Sequence, residues 1–231
     1  MVKRKVKKDK KTTDEEKKVE NIICFCAHND DHIIGAGGTL AKYAKEGKGV
    51  YTYIFSYGES SHPHLQREVI IKIRVAESQA CDKVIGGSGI YHFGLKEGNF
   101  IQEIEKRKFK KKIIDIIRER KPTKIFTHTK DDPHPDHRAV NTVVLEVARE
   151  LKYKGDIYSF DIWNPLTARG RAKPKLVVDI TETFKTKVKA FECHKSQKLS
   201  LIMLLPAVYT RAIINGLNHE VKYAEIFLKI H

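Results

Sequence analysis

Short continuous apolar runs alternate along the chain with longer stretches in which apolar residues recur every three or four positions. Asn21–Ala27 (NIICFCA) is one such run and reads as a strand buried on both faces. In Gly35–Lys45 that follows, Leu40, Ala41 and Ala44 fall at helical spacing, and Gly47 ends the helix. Val50–Ser56 (VYTYIFS) is β-branched and aromatic and predicts a second strand. Val69–Val84 carries a helical stripe of Val69, Ile70, Ile73, Ala76, Ala80 and Val84. Gly86–Gly89 then reads as a turn and Ile90–Phe93 as a short strand. Phe109–Arg120, with Ile113, Ile114, Ile116 and Ile117 among basic residues, predicts a helix that Pro122 closes. Lys124–His128 is the next strand, and Val140, Val143, Val144, Val147, Ala148 and Leu151 mark Arg138–Leu151 as an amphipathic helix. Strands at Asp156–Trp163 and Leu176–Ile180, a helix at Phe184–Gln197 and a terminal strand at Ala224–Ile230 complete the pattern. Alternating strands and helices predict an α/β fold: three layers, Rossmann-like, with a mostly parallel sheet covered by helices on both faces.

Composition narrows the class. Of 231 residues, 41% are hydrophobic, enough for a single domain with one core, and apolar runs recur too regularly for a disordered chain. The most apolar stretch, Leu199–Val208, is too short to cross a bilayer and contains Pro206. Its default place is the core, and a subunit contact in a homo-oligomer stays open. The N-terminus has no apolar segment of the signal-peptide kind, which predicts a cytoplasmic protein. Cys24, Cys26, Cys81 and Cys193 are then expected as free thiols. Cys24-x-Cys26 lacks the second pair a closed metal site would need, and two residues apart in a strand they are expected on one buried face.

The formal charge is +15, and residues 1–11 concentrate Lys3, Arg4, Lys5, Lys7, Lys8, Lys10 and Lys11 against Asp9. Residues 1–20 read as a basic arm preceding one domain, 21–231. A basic surface suits nucleic acid, an anionic membrane or an acidic substrate, but no nucleic-acid module signature accompanies it.

Two polar clusters interrupt the apolar pattern at equivalent places. Ala27-His28-Asn29-Asp30-Asp31 follows the first strand, and Asp131-Asp132-Pro133-His134-Pro135-Asp136-His137 follows the strand Lys124–His128. Ligands of open parallel sheets bind beyond the carboxyl ends of strands, so neighbouring strands would aim both clusters into one crevice. Two imidazoles and one carboxylate make the three-ligand set of a catalytic zinc site, which leaves a position for water. Bound metal acidifies that water and polarises a carbonyl oxygen, while a spare carboxylate and a spare imidazole can move protons. Each residue also has a simpler reading: His28 as a satisfied histidine at a strand end, and Asp30, Asp31, Asp132, His134 and Asp136 as caps or loop residues of the helices that follow. The two clusters together favour a metal-dependent hydrolase without identifying the bond cut.

The sequence resembles the LmbE-like, or PIG-L, family of zinc-dependent N-acetylglucosaminyl deacetylases. The resemblance rests on His28-Asn29-Asp30-Asp31 with Gly37-Gly38-Thr39, and on His134-Pro135-Asp136-His137. Gly58-Glu59, Arg74-x-x-Glu77, Val178-Asp179-Ile180 and His194-x-Ser196-Gln197 are further similar positions, so it spans about residues 21–197. It implies a zinc ion, or another divalent metal, held by His28, Asp31 and His137. It implies Asp30 as general base, His134 as the group that polarises or protonates the amide, Asp136 as the residue orienting the His134 ring, and Arg74 as a sugar contact, with Asp132 on the same loop touching substrate. The implied partner is a small acetamido sugar or glycoside, from which hydrolysis gives acetate and a free amine. Asn29 stands where the family usually has Pro, and His32 replaces an acidic residue, which bears on fine geometry and substrate preference. Two alternatives from other classes are a nucleic-acid-binding protein and a non-catalytic sugar-binding protein on the same fold.

Overall fold

The computed structural model describes residues 19–61, 64, 66–162 and 175–231, the side chains of 199–201 excepted. Most of the basic arm, and Trp163 at the end of an expected strand, lie outside the described residues.

The chain runs β1 (Asn21–Cys26), α1 (Asp31–Lys45), β2 (Gly49–Ile54), α2 (Arg67–Ile85), β3 (Gly89–His92), α3 (Phe100–Lys106), α4 (Lys110–Arg120), β4 (Lys124–His128) and α5 (Pro135–Glu150). It continues through β5 (Asp156–Phe160), β6 (Lys175–Asp179), α6 (Phe184–Phe191), α7 (Lys198–Leu217) and β7 (Ala224–Lys229). Seven strands form one sheet in the order β3-β2-β1-β4-β5-β7-β6. The first five pair in parallel, while β7 runs antiparallel to both β5 and β6. The chain therefore builds outward from β1 in one direction through β2 and β3, then returns to pair β4 on the other side of β1. That reversal opens a crevice at the carboxyl ends of β1 and β4.

Alternation along β1 divides the core into the two interlayers. Ile22, Cys24 and Cys26 pack with Ile33 and Leu40 of α1, Cys81 of α2 and Phe191 of α6. Ile23, Phe25 and Ala27 pack with Phe100 of α3, Ile113 of α4 and Val140 and Val144 of α5. The predicted three-layer α/β fold is present. Cys24 and Cys26 do share one buried face, and all four cysteines are free.

Five elements differ from the sequence pattern: α1 begins at Asp31 rather than Gly35, β5 ends at Phe160 with Asp161 and Ile162 outside the strand, and three others depart further. The short helix α3 buries only Phe100 and Ile104, too few positions to mark a helical stripe. The helix expected to reach Gln197 stops at Phe191, and Lys195–Gln197 form a separate 3-10 turn after His194 leaves the helical region. The apolar stretch around Pro206 belongs to α7, whose Ile202 and Met203 are exposed rather than in the core. Among the described residues no helix is long and apolar enough to cross a membrane.

Candidate metal centre and active site

The loop from β1 to α1 and the loop from β4 to α5 meet over the switch point, as adjacency of their strands requires. Between them lies a cavity of about 510 Å³ lined by His28, Asp30, Asp31, His134, Asp136 and His137. Arg74 of α2 closes one side of it. Local sequence explains the turns. Asp30 is the residue before α1, and its carbonyl accepts the Ile33 and Ile34 N–H groups. Pro135 opens α5, where its missing N–H costs nothing.

Three atoms converge at the centre. His28 Nδ1 is 3.1 Å from His137 Nε2 and 3.4 Å from Asp31 Oδ2, and His137 Nε2 is 3.5 Å from that same oxygen. Ligands around tetrahedral zinc at about 2.0–2.1 Å stand roughly 3.3–3.4 Å from one another, so the donor set fits such an ion. Each imidazole is backed by a carboxylate on its other nitrogen. His137 Nδ1 lies 3.0 Å from Asp132 Oδ1, and His28 Nε2 lies 3.7 Å from Asp136 Oδ2. Neither contact has hydrogen-bond geometry, so each carboxylate acts on its ring through charge. Burial opposes the charge on Asp31, yet His137 and His128 beside it hold its carboxyl well below the usual range. Burial likewise opposes a charge on His28, and the Asp136 and Asp31 carboxylates outweigh it, raising the imidazole well above its usual range. The Asp31 site thus attracts positive charge, as a proton or as a metal cation.

Outside the converging atoms, Asp30, Glu97 and His134 also line the cavity, and Glu97 is taken up by the Ser56 hydroxyl and the Ser60 N–H. Asp30 Oδ2 is 3.8 Å from Arg74 Nη2, and Arg74 Nη1 is 3.3 Å from Glu77 Oε2. Ser196 donates to Glu77 through its backbone N–H (2.6 Å) and its hydroxyl (2.8 Å), which ties the His194-Lys195-Ser196 segment to the arginine.

Two expectations change. Asp132, expected at the substrate, is 3% exposed and turned to His137; its Oδ1 also accepts the His134 N–H at 2.9 Å. The carboxylate of Asp136 does not orient the His134 ring. It accepts the Gly98 N–H at 2.7 Å and backs His28 instead. What holds His134 is the Asp136 backbone N–H, which donates to His134 Nδ1 at 3.2 Å. The physical reason is the helix start: His134 occupies the position before α5, so its ring caps one first-turn amide, that of Asp136.

Sequence reasoning missed His128. It is fully buried at the end of β4, with Nε2 3.2 Å from Asp31 Oδ2 and its ring stacked on His137 at 3.9 Å between centroids. Burial, with His137 beside it, lowers its imidazole to about 4. Its place at a strand's carboxyl end was the available signal. Asn29, in place of the family's usual Pro, is also fully buried and donates from Nδ2 to the Arg74 carbonyl at 3.0 Å. His32 is buried without a hydrogen-bond partner on either ring nitrogen, outside the converging atoms.

Comparison with known proteins adds four findings. The profile of the family described as PIG-L, GlcNAc-PI de-N-acetylase, matches residues 23–148. The diacetylchitobiose deacetylase of Thermococcus kodakarensis is 25% identical over 226 residues, covering 90% of this chain and 82% of the relative. The 4-oxalmesaconate hydratase of Pseudomonas putida is 24% identical over 198 residues, covering 78% and 74%. In three dimensions, the N,N'-diacetylchitobiose deacetylase of Pyrococcus horikoshii shares the fold with a TM-score of 0.75 at 24% identity, over 93% of this chain and 85% of that one.

Proposed function

The chain belongs to the PIG-L family, and on that premise we propose that it is a metal-dependent hydrolase that removes the acetyl group from an N-acetylglucosamine-type sugar or glycoside. The observation that supports this most is the meeting, in one cavity, of three donor atoms at metal-ligand spacing with a spare carboxylate and a spare imidazole. The deacetylase among its relatives acts on an acetylated sugar by name, which fits this reading.

His28, Asp31 and His137 would hold the cation, zinc or another divalent ion. When bound, that ion supplies an acidified water and polarises the amide carbonyl. Asp30, half-buried beside Arg74, takes the proton of the attacking water and returns it to the departing amine. His134 has Nδ1 occupied by the Asp136 N–H, so its ring proton sits on Nε2, free to donate to the carbonyl oxygen as that oxygen gains charge. Burial, with His28 and His137 nearby, lowers the His134 imidazole, so it donates as a neutral ring. Arg74 faces the cavity where a sugar would lie. The products are acetate and a free amino sugar.

Metal analysis of the purified protein, with acetate release measured on a panel of N-acetylated sugars, tests the reading. Stoichiometric divalent metal and acetate from at least one acetamido sugar are expected. Metal-loaded protein that releases no acetate but hydrates an unsaturated dicarboxylic acid would place it with the hydratase relative instead.

A further inference from the structure

The middle of α1 is held by groups that belong to other elements. Lys187 of α6 and Glu225 of β7 form an ion pair at 2.6 Å, with 4% and 5% exposure. Lys187 Nζ also donates to the Ile34 carbonyl at 2.9 Å. Glu225 accepts the Gly38 N–H on one oxygen at 3.1 Å and the Thr39 N–H on the other at 2.7 Å. Ile34 O and Gly38 N are acceptor and donor of one ordinary α-helical rung. Each is bound here to one member of the ion pair. The Thr183 hydroxyl adds a third hold, donating to the Gly38 carbonyl at 2.8 Å.

This arrangement reaches the site in one step. The peptide whose carbonyl accepts the Lys187 hydrogen bond follows the amide of Ile34, which donates to the Asp30 carbonyl at 3.0 Å. The first turn of α1 carries Asp31, and Ile34 itself lines the cavity. The glycines explain both why the clamp is possible and why it is needed. A Cβ on Gly38 would lie 2.7 Å from Ile180 Cδ1, and one on Gly37 would lie 3.2 Å from Lys187 Cγ. Glycine lets α6 and the Val178–Ile180 segment approach the α1 backbone closely. It also strips that face of the side chains that would interlock and stop the helix from sliding or rotating. Replacing a buried ion pair by apolar residues of similar volume is often neutral or stabilising, so stability alone gives no reason for this one.

We propose that Lys187 and Glu225, with Thr183, are positioning residues of the catalytic centre: they fix the axial and rotational setting of α1 and so hold Asp30 and Asp31 at the geometry that metal binding and proton transfer require. The inference rests on the metal-dependent reading of the site. Displacements of about 1 Å in such constellations cost large factors in rate.

The variant Lys187→Met/Glu225→Leu removes both charges together and leaves the α1 backbone groups at Ile34, Gly38 and Thr39 to the helix alone. It is expected to fold with a Tm near that of the wild type. Its zinc affinity, measured by competition with a chromogenic chelator, should fall about tenfold or more, the size of effect seen when an outer partner of a metal site is lost. In the metal-free protein, amide hydrogen exchange at residues 31–39 should quicken. With substrate, kcat should fall while KM stays near the wild-type value. A folded double variant with wild-type zinc affinity and wild-type exchange overturns the proposal. Should the double variant not fold, Glu225→Asp keeps both charges and withdraws the carboxylate by one methylene. Its zinc affinity should fall by about threefold or more on the same grounds, and unchanged affinity overturns the proposal. If the wild type itself binds no zinc, the functional reading fails, and hydrogen exchange in the metal-free variants alone decides the inference.

Discussion

Asp30 and Asp31 are adjacent in sequence, yet their surroundings separate their chemistry. Asp31 is buried among His28, His128 and His137, where only a carboxylate neutralised by a cation is well solvated. Asp30 faces the cavity beside a single guanidinium. Asp31→Ala should therefore abolish stoichiometric metal, as read by elemental analysis, while leaving a folded protein. Asp30→Asn should keep the metal and lose about 10²–10⁴-fold in kcat, the usual worth of a general base. Wild-type turnover in that variant would remove Asp30 from the role. Asp132, turned to His137 Nδ1, gives a third expectation: Asp132→Asn should weaken metal affinity about 10–100-fold, with KM little changed. The two clusters were legible in sequence because two spaced polar motifs follow two apolar strands, while the assignment of His28, Asp31 and His137 as ligands came from the family resemblance. The partners of Asp132 and Asp136 were not legible. Which way a short carboxylate points depends on loop dihedrals, and the helix cap at His134 set those.

Among the elements, α1 shows what periodicity misses. Its apolar stripe predicted the helix from Gly35, four residues late, because Ala27–Asp31 read as a polar cluster, while the structure begins α1 at Asp31. The glycines at 35, 37 and 38 look unfavourable in a helix read alone. They are explained by neighbours far away in sequence: Phe160 lies 2.3 Å from a Cβ built on Gly35, and Ile180 lies 2.7 Å from one on Gly38. Gly38→Ala should therefore destabilise by about 1–3 kcal/mol, the usual cost of overpacking, despite alanine's better helix propensity. Thermal melts would read this as a fall of several degrees, at roughly 2–4 °C per kcal/mol for a chain of this size. An unchanged or raised Tm would mean that Ile180 yields freely. Helix α7 makes the complementary point. Its composition suggested a core segment, whereas Ile202, Met203 and Leu217 are at least 64% exposed, because only the side of α7 that includes Val208 and Ala212 meets β7 and the core.

Across the molecule, buried neutral histidines contribute to the response to acid. Burial lowers His92 to about 4, with Arg74 adding to the effect, and it lowers His194 to about 4 as well. In the unfolded chain each titrates near 6.5. Between about pH 6.5 and 4 the unfolded state therefore binds more protons, and stability falls as pH drops through that window. The two histidines together account for several kcal/mol, at about 1.4 kcal/mol for each tenfold loss of proton affinity on folding. Urea denaturation of metal-free protein from pH 7.5 to 4.5 should show a declining midpoint, and a flat profile would falsify the assignment of these rings as neutral and buried.

Local pattern along the chain was enough to establish the alternation of strands and helices, hence the three-layer, mostly parallel architecture, and to pick out the two clusters that share the crevice. Strand and helix periods are properties of adjacent residues, and each cluster directly follows its strand. Folding in three dimensions was needed to make β1 and β4 neighbours, to bring His128 to Asp31, to turn Asp132 to His137, and to close Lys187 and Glu225 on α1. Those contacts join residues from different elements, and their distances depend on side-chain direction and close packing, which no local pattern encodes.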